Sequence, residues 1–236
     1  QIYGVPPEII VGIIGVETIY GRNTGNFQAV SALATLAFDY PRRAELFRGE
    51  LESLLLMARE QHRDPLDYQG SYAGALGLPQ FLPSSVRNYA VDFDGDGQID
   101  LLGSPKDAIG SVARYMQMHG WETGAPVAIR ANVEPGANLP PLIANDINPA
   151  FDNATLAGYG VKPVDGSTPA GKAAFVELVT PGEDSEYWLG YQNFYVITRY
   201  NRSAMYAMAV HQLAGEIAKA AKGVTSVNNN LTVKAG

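Results

Sequence analysis

The chain has 236 residues, 46% of them hydrophobic and 17% charged, with a net charge of -7 and a pI near 5.0. That length and balance suit a soluble globular protein of one large or two small domains, and they exclude a disordered chain or a nucleic-acid binder with a basic face. The absence of cysteine excludes disulfides, thiol nucleophiles and thiolate metal sites.

The first element is Pro7–Gly21, PEIIVGIIGVETIYG. Pro6, Pro7 and Glu8 suit a first helical turn, where a proline lacks only an unneeded N–H and an acid complements the dipole. Ile9, Ile10, Ile13, Ile14 and Val16 follow helical spacing, and Gly21 terminates the run. Glu17 lies four residues after Ile13 and three after Ile14, so it continues the apolar stripe. Apolar neighbours and the negative end of the helix dipole both oppose its ionisation. A carboxyl so placed can donate a proton near neutral pH. The competing reading is a buried ion pair with Arg22 or Arg43. The helix starts so early that upstream sequence is expected: a leader, an anchor or further helices. No window approaches the roughly 20 apolar residues of a membrane span.

Arg22–Asn26 reads as a loop and Val30–Phe38 as a helix stopped by Asp39-Tyr40-Pro41. Arg42–Gln61 reads as an amphipathic helix with Leu46, Leu51, Leu54, Leu55 and Ala58 inside. In the segment SYAGALGLPQFLPSS, from Ser71 to Ser85, Gly74 and Gly77 allow close backbone approach and Pro79 and Pro83 restrain the chain. Gln80 there is an amide suited to a sugar or peptide group, and Ser84-Ser85 is expected to cap a helix through Tyr89.

The run Asp92 to Asp100, DFDGDGQID, is the most specific short motif. Carboxylates at loop positions one, three and five (Asp92, Asp94, Asp96), glycine at six, the Gln98 carbonyl at seven and Asp100 at nine form an EF-hand-type calcium pattern. Position twelve is Gly103, where a bidentate Glu belongs; Asp107, at the start of the next helix, is the nearest substitute. The ion would be structural, and no organic cofactor is called for.

Ala108–His119 reads as a helix and Trp121 as core. From Glu122 to about Asp184, prolines and glycines alternate with β-prone pieces at Val127–Ile129, Leu142–Ile143, Leu156–Tyr159 and Phe175–Leu178. Asn193–Tyr200 reads as a strand or extended entry, and Ala204–Ala221 as a final helix. The tail from Gly223 is β-prone and Asn-rich. The whole is a mainly helical α+β chain.

Four motifs occur in order: GVETIYG, SYAGALGLPQFLPSS, DFDGDGQID followed by DAIGSVARY, and NFYVITRYNRSAMYAMAV. Together they resemble the lytic transglycosylase B family, bacterial enzymes that cut peptidoglycan glycan strands. The resemblance implies a lysozyme-like catalytic core with the calcium loop over residues 1–121. A small strand-rich lobe would follow over 122–192, and a strand and helix over 193–236 would complete the core. It implies Glu17 as the single acid and base. Ser71, Gln80, Tyr115, Tyr200, Asn201 and Tyr206 would line the glycan groove, and Arg42 and Arg43 would hold the acidic peptide stem. The implied partners are glycan strands, peptide stems and other cell-wall enzymes. The implied location is the bacterial periplasm, soluble or anchored to the outer membrane through a missing N-terminal segment. Ordinary glycosidases need two carboxyl groups, and the remaining clustered acids belong to the calcium loop, which favours a one-carboxyl mechanism. A hydrolytic muramidase on the same fold and a catalytically idle peptidoglycan-binding module are the alternatives.

Overall fold

A computed structural model describes residues 2–222, so the tail from Gly223 lies outside the described residues. In chain order its helices are α1 (Pro7–Thr18), α2 (Ala29–Asp39), α3 (Ala44–Glu60), α4 (Pro83–Tyr89), α5 (Pro105–Met118), α6 (Pro140–Ile143), α7 (Asn153–Gly158), α8 (Gln192–Tyr200) and α9 (Ala204–Lys222). The strands are β1 (Phe27–Gln28), β2 (Gln69–Gly70), β3 (Ala128–Val133), β4 (Val161–Pro163), β5 (Ala174–Leu178) and β6 (Glu186–Gly190). Short 3₁₀ turns span Pro41–Arg43 and Pro65–Asp67.

Helix α1 forms the centre of the main core. Ile9, Ile10, Ile13 and Ile14 are buried against α9 and α5, where Val210, Ala214, Val112 and Met116 meet them. Val16, expected in that stripe, turns outward at 37% exposure. Burying these branched side chains on both helices fixes the face that α1 presents, and with it the direction of Glu17.

The inward stripe of α3 differs from the expected one. Phe47, Glu50, Leu54, Met57 and Ala58 are buried, whereas Leu46 and Leu55 are 41% and 48% exposed. The helix starts at Ala44, after the 3₁₀ turn, and its buried face is shifted to include a carboxylate. Glu50 accepts from the Ser84 amide at 2.9 Å and the Ser84 hydroxyl at 2.7 Å. The start of α4 is thus satisfied from α3, and Ser84 lies inside the helix instead of capping it.

Strands β4-β3-β6-β5 form an antiparallel sheet. Ala128, Ala174, Val176 and Trp188 on its one face contribute to the main core. Ala131, Phe175 and Leu189 join Leu142, Leu156 and Val161 in a second cluster. Two β-prone pieces are helical. Asp152 caps α7 by accepting from the Thr155 amide at 2.7 Å, which draws Leu156–Gly158 into a helix. Leu142–Ile143 ends α6, which starts on two prolines suited to a first turn.

Asn193–Tyr200 is also helical, as most of α8, and not a strand. Phe194, Val196, Ile197 and Thr198 are buried on several sides of the helix, so tertiary packing overrides the β-preference of these residues. Asn193 fixes the start by accepting from the Glu122 amide and donating to the carbonyls of Glu122 and Ala125. β1 and β2 pair as a short antiparallel ribbon, Phe27 opposite Gly70, which carries the chain into the 71–85 segment.

Candidate active site

The C-terminus of α1 sits at the edge of a cleft of about 260 Å³ lined by Glu17, Gln80, Phe81, Leu82, Ser85, Tyr115, Arg199, Tyr200 and Asn201. Five of the residues singled out in the sequence therefore converge there, from α1, the 77–82 turn, α5 and the end of α8. Tyr206, from the first turns of α9, reaches Glu17 from behind and donates its hydroxyl to Oε1 at 2.6 Å. That bond spans 189 residues of chain.

Burial raises the pKa of Glu17 above the ordinary glutamate value, and the bond from Tyr206, which favours the anion, pulls the other way but less strongly. Among the described residues no lysine or arginine lies within ion-pair distance of Glu17, so the ion-pair reading has no support. No second carboxyl group lines the cleft among the described residues. Glu17 Oε2 has no protein partner there.

Helix α1 ends abruptly, with Ile19, Tyr20 and Gly21 all left-handed at φ of 51°, 57° and 88°. Such a conformation costs about 1–3 kcal/mol for each non-glycine residue and persists only where neighbours enforce it. Thr18, fully buried, supplies that enforcement. Its hydroxyl accepts from the Gly21 amide at 3.1 Å and lies 3.1 Å and 3.0 Å from the carbonyls of Ile14 and Leu78, which share its single proton.

Across the cleft, Gln80 is left-handed at φ 51°, and its amide NH₂ donates to the carbonyls of Thr24 and Gly77 at 3.1 Å and 3.0 Å. Both donors are consumed, so Gln80 can offer a ligand only its carbonyl oxygen. Tyr115 donates to the Arg199 carbonyl at 2.7 Å, and Tyr200 to the Pro79 carbonyl. These two hydroxyls are thus held by backbone, and burial raises both pKa values, that of Tyr115 to about 12. Their rings pack edge to face, 4.9 Å apart, with Phe81 tilted against both. The phenols therefore build a rigid aromatic wall, and Tyr206 is the one whose hydroxyl touches the acid.

Three predicted residues stand apart. Ser71 is not among the lining residues, and its hydroxyl accepts from the amides of Ala73 and Ala75 in a tight turn. Arg42 and Arg43 lie exposed on the 3₁₀ turn, with the Arg43 guanidinium 5.5 Å from the Phe47 ring. Sequence reasoning missed Arg199, the one cation among the lining residues, although it stands inside the NFYVITRY motif. It also missed Thr18, whose only sequence signal is its place beside Glu17.

In the acidic loop, carboxylate oxygens of Asp92, Asp94 and Asp107 lie within 4.8 Å of one another. Asp92 accepts from the amides of Gly95, Asp96 and Gly97, which folds the loop around it. Asp107, 1% exposed, accepts from the Phe93 amide at 2.8 Å and the Asp100 amide at 2.9 Å, tying both ends of the loop to α5. Asp96 and Asp100 instead accept from amides of their own turns, at Gln98 for the first and at Leu102 and Gly103 for the second.

Residues 1–215 match the family described as transglycosylase SLT domain. Over 220 residues the chain is 51% identical to the membrane-bound lytic murein transglycosylase B of Escherichia coli, covering 93% of this chain. It spans 59% of the length of that curated relative. Among solved structures it is similar to the soluble lytic transglycosylase SltB1 from Pseudomonas aeruginosa, with a TM-score of 0.86 and 54% identity over 94% of this chain and 73% of that one. It is also similar to an Escherichia coli lytic transglycosylase in complex with calcium, with a TM-score of 0.84 and 51% identity over 93% of this chain and 68% of that one.

Proposed function

The chain belongs to the transglycosylase SLT domain family, and from that premise we propose that it is a peptidoglycan lytic transglycosylase with Glu17 as its acid and base. The observation that carries this reading is a pKa-raised carboxyl in an aromatic cleft, without a second carboxyl or a partner for its Oε2 among the described residues, and with its Oε1 fixed by Tyr206. In this reading the Glu17 proton passes to the oxygen linking N-acetylmuramic acid to N-acetylglucosamine. That bond breaks, and the substrate's own acetamido group stabilises the oxocarbenium-like centre. The Glu17 carboxylate then takes the proton of the muramoyl C6 hydroxyl, and the C6 oxygen closes a 1,6-anhydro ring without water. Proton and carboxylate are restored, so one residue suffices where hydrolytic glycosidases use two.

The core around the cleft corresponds in this reading to a lysozyme-like fold. Tyr115, Tyr200 and Phe81 offer ring faces and edges to sugars, and the Gln80 carbonyl accepts from a sugar hydroxyl or acetamido N–H. Asn201 stands at the cleft mouth. Ser71 acts through the turn that it holds. Arg42 and Arg43 grip stem carboxylates from outside the cleft.

The acidic loop fits a Ca²⁺ ion: three carboxylates from separate backbone positions converge, and hard oxygen donors are what calcium takes. Asp92, Asp94 and Asp107 would hold it, with Asp96, the Gln98 carbonyl and Asp100 completing the set directly or through water. The ion would supply structural cross-linking only. The working location is the periplasm; no helix among the described residues is long and apolar enough to cross a membrane.

Mass spectrometry of muropeptides released from purified sacculi tests the activity. Anhydromuramoyl products, one water lighter than hydrolytic ones, are expected. Hydrated products would indicate a muramidase, and no products a binding module.

A further inference from the structure

We propose that Thr18 is the positioning residue of Glu17, and that it acts as the last link of a backbone strap running from the acidic loop through Leu78. The inference rests on the assignment of Glu17 as acid and base. The strap is continuous in hydrogen bonds. The Leu101 carbonyl, just past the loop, accepts from the Leu78 amide at 2.8 Å, and the Leu78 carbonyl accepts from the Thr18 hydroxyl at 3.0 Å. One residue of the 77–80 turn thus bonds the residue that follows the loop with its N–H and the end of α1 with its C=O.

The geometry is tight at both ends. Gly77, at φ +68°, brings the turn so near the loop that a Cβ there would stand 2.6 Å from the Leu101 carbonyl oxygen. A Cβ on Gly21 would stand 2.7 Å from Leu78 Cδ2, so the left-handed exit of α1 is packed against the same residue that Thr18 grips. Pro79 and Gln80, which follow, receive Tyr200 and bind Thr24. The acid, the opposing amide and the aromatic wall are therefore all referenced to one four-residue turn, and Thr18 is the side chain that refers Glu17 to it. A threonine serving only to finish a helix would need its bond to the Ile14 carbonyl, not one that reaches 60 residues away.

The experiment compares Thr18→Val, which keeps the shape and removes the hydroxyl, with Thr18→Ser, which keeps the hydroxyl. Thr18→Ala serves as a second hydroxyl-free variant should valine fail to fold. Per folded molecule, the hydroxyl-free variant should lose about 10–100-fold in kcat, the scale of a misplaced reacting group. KM should be nearly unchanged, and the pH limb set by Glu17 displaced. Thr18→Ser should restore both. Amide exchange supplies a second readout: Gly21 should exchange faster without the hydroxyl, and Leu78 should exchange faster in the parent when chelator removes calcium. A folded hydroxyl-free variant with the parent's kcat and pH limb would overturn the positioning role, as would equal losses in valine and serine variants. Leu78 exchange indifferent to calcium, in a parent whose Tm rises with calcium, would overturn the strap. The exchange readings need no substrate, so they report on the strap even if Glu17→Gln retained turnover, which would instead overturn the acid–base assignment.

Discussion

Two of the carboxyl groups that this molecule draws away from water, Glu17 and Asp107, sit in opposite surroundings. Glu17 lies at the end of an apolar helix with, among the described residues, a single donor, Tyr206, on one oxygen, and burial raises its pKa. Asp107, 1% exposed, has both oxygens engaged by backbone amides and two further carboxylates beside it. Depth alone does not separate them, since the deeper group is the one that lies beside two further carboxylates. In the reading proposed here the donors around each carboxyl decide its role: few donors suit a proton carrier, and many suit a structural cross-link.

The largest effect expected from breaking this contrast is at Glu17. Glu17→Gln keeps the shape and an acceptor for Tyr206 but cannot transfer a proton, so turnover of sacculi should fall by about 10²–10⁴-fold with binding retained. Stability should move the other way. The native pKa of Glu17 lies above the ordinary value of 4.5, so the native state binds this proton more tightly than the unfolded state. Its contribution to stability is full below that value and is lost as pH rises through the native pKa. The Tm of Glu17→Gln relative to the parent should therefore be higher at pH 7 than at pH 4, which thermal unfolding at both pH values checks.

Next in size is the other carboxyl. Asp107→Ala strands two partly buried amides, at about 1–3 kcal/mol each, and should abolish any rise of Tm with calcium. In the parent, calcium at about 100 times its Kd should add about 2.7 kcal/mol. Equal Tm in calcium and chelator would remove the ion from the account.

A smaller effect sharpens the comparison. Tyr206→Phe removes the donor that favours the Glu17 anion, so the pKa of Glu17 should rise further. The high-pH fall of kcat/KM should move to higher pH, with a loss of about 10-fold at the optimum, the scale of one hydrogen bond to a charged group. Smallest is the Arg42→Ala/Arg43→Ala pair: a few-fold loss on peptide-bearing glycan, against little on bare glycan, is the result expected of a surface grip.

What was legible in the sequence was local. The α1 stripe, the intrusion of Glu17 into it and the spacing of Asp92, Asp94 and Asp96 are all contained in short windows. The approach of Asp107 to Asp92 and Asp94 was readable because the next helix begins close by. The partner of Glu17 was not readable from periodicity: Tyr206 is 189 residues away, and only the motif resemblance pointed to it. Thr18 was invisible because its partner is a backbone carbonyl, which leaves no trace in residue type. The errors share a cause. Asn193–Tyr200 is rich in β-formers yet buried on several sides as a helix, and the α3 stripe shifted because Glu50, a charged residue, belongs to its inner face.

The contrast between the two carboxyls is tested most directly by titrating Glu17 itself, through its side-chain carboxyl carbon in an isotope-labelled protein, with Glu17→Gln to assign the signal. The account predicts a midpoint above 4.5 that coincides with a limb of the pH–rate profile and rises further in Tyr206→Phe. A midpoint at or below 4.5 in a protein that still turns over near neutral pH would mean that Glu17 is ionised when it is needed as an acid, and would contradict the account.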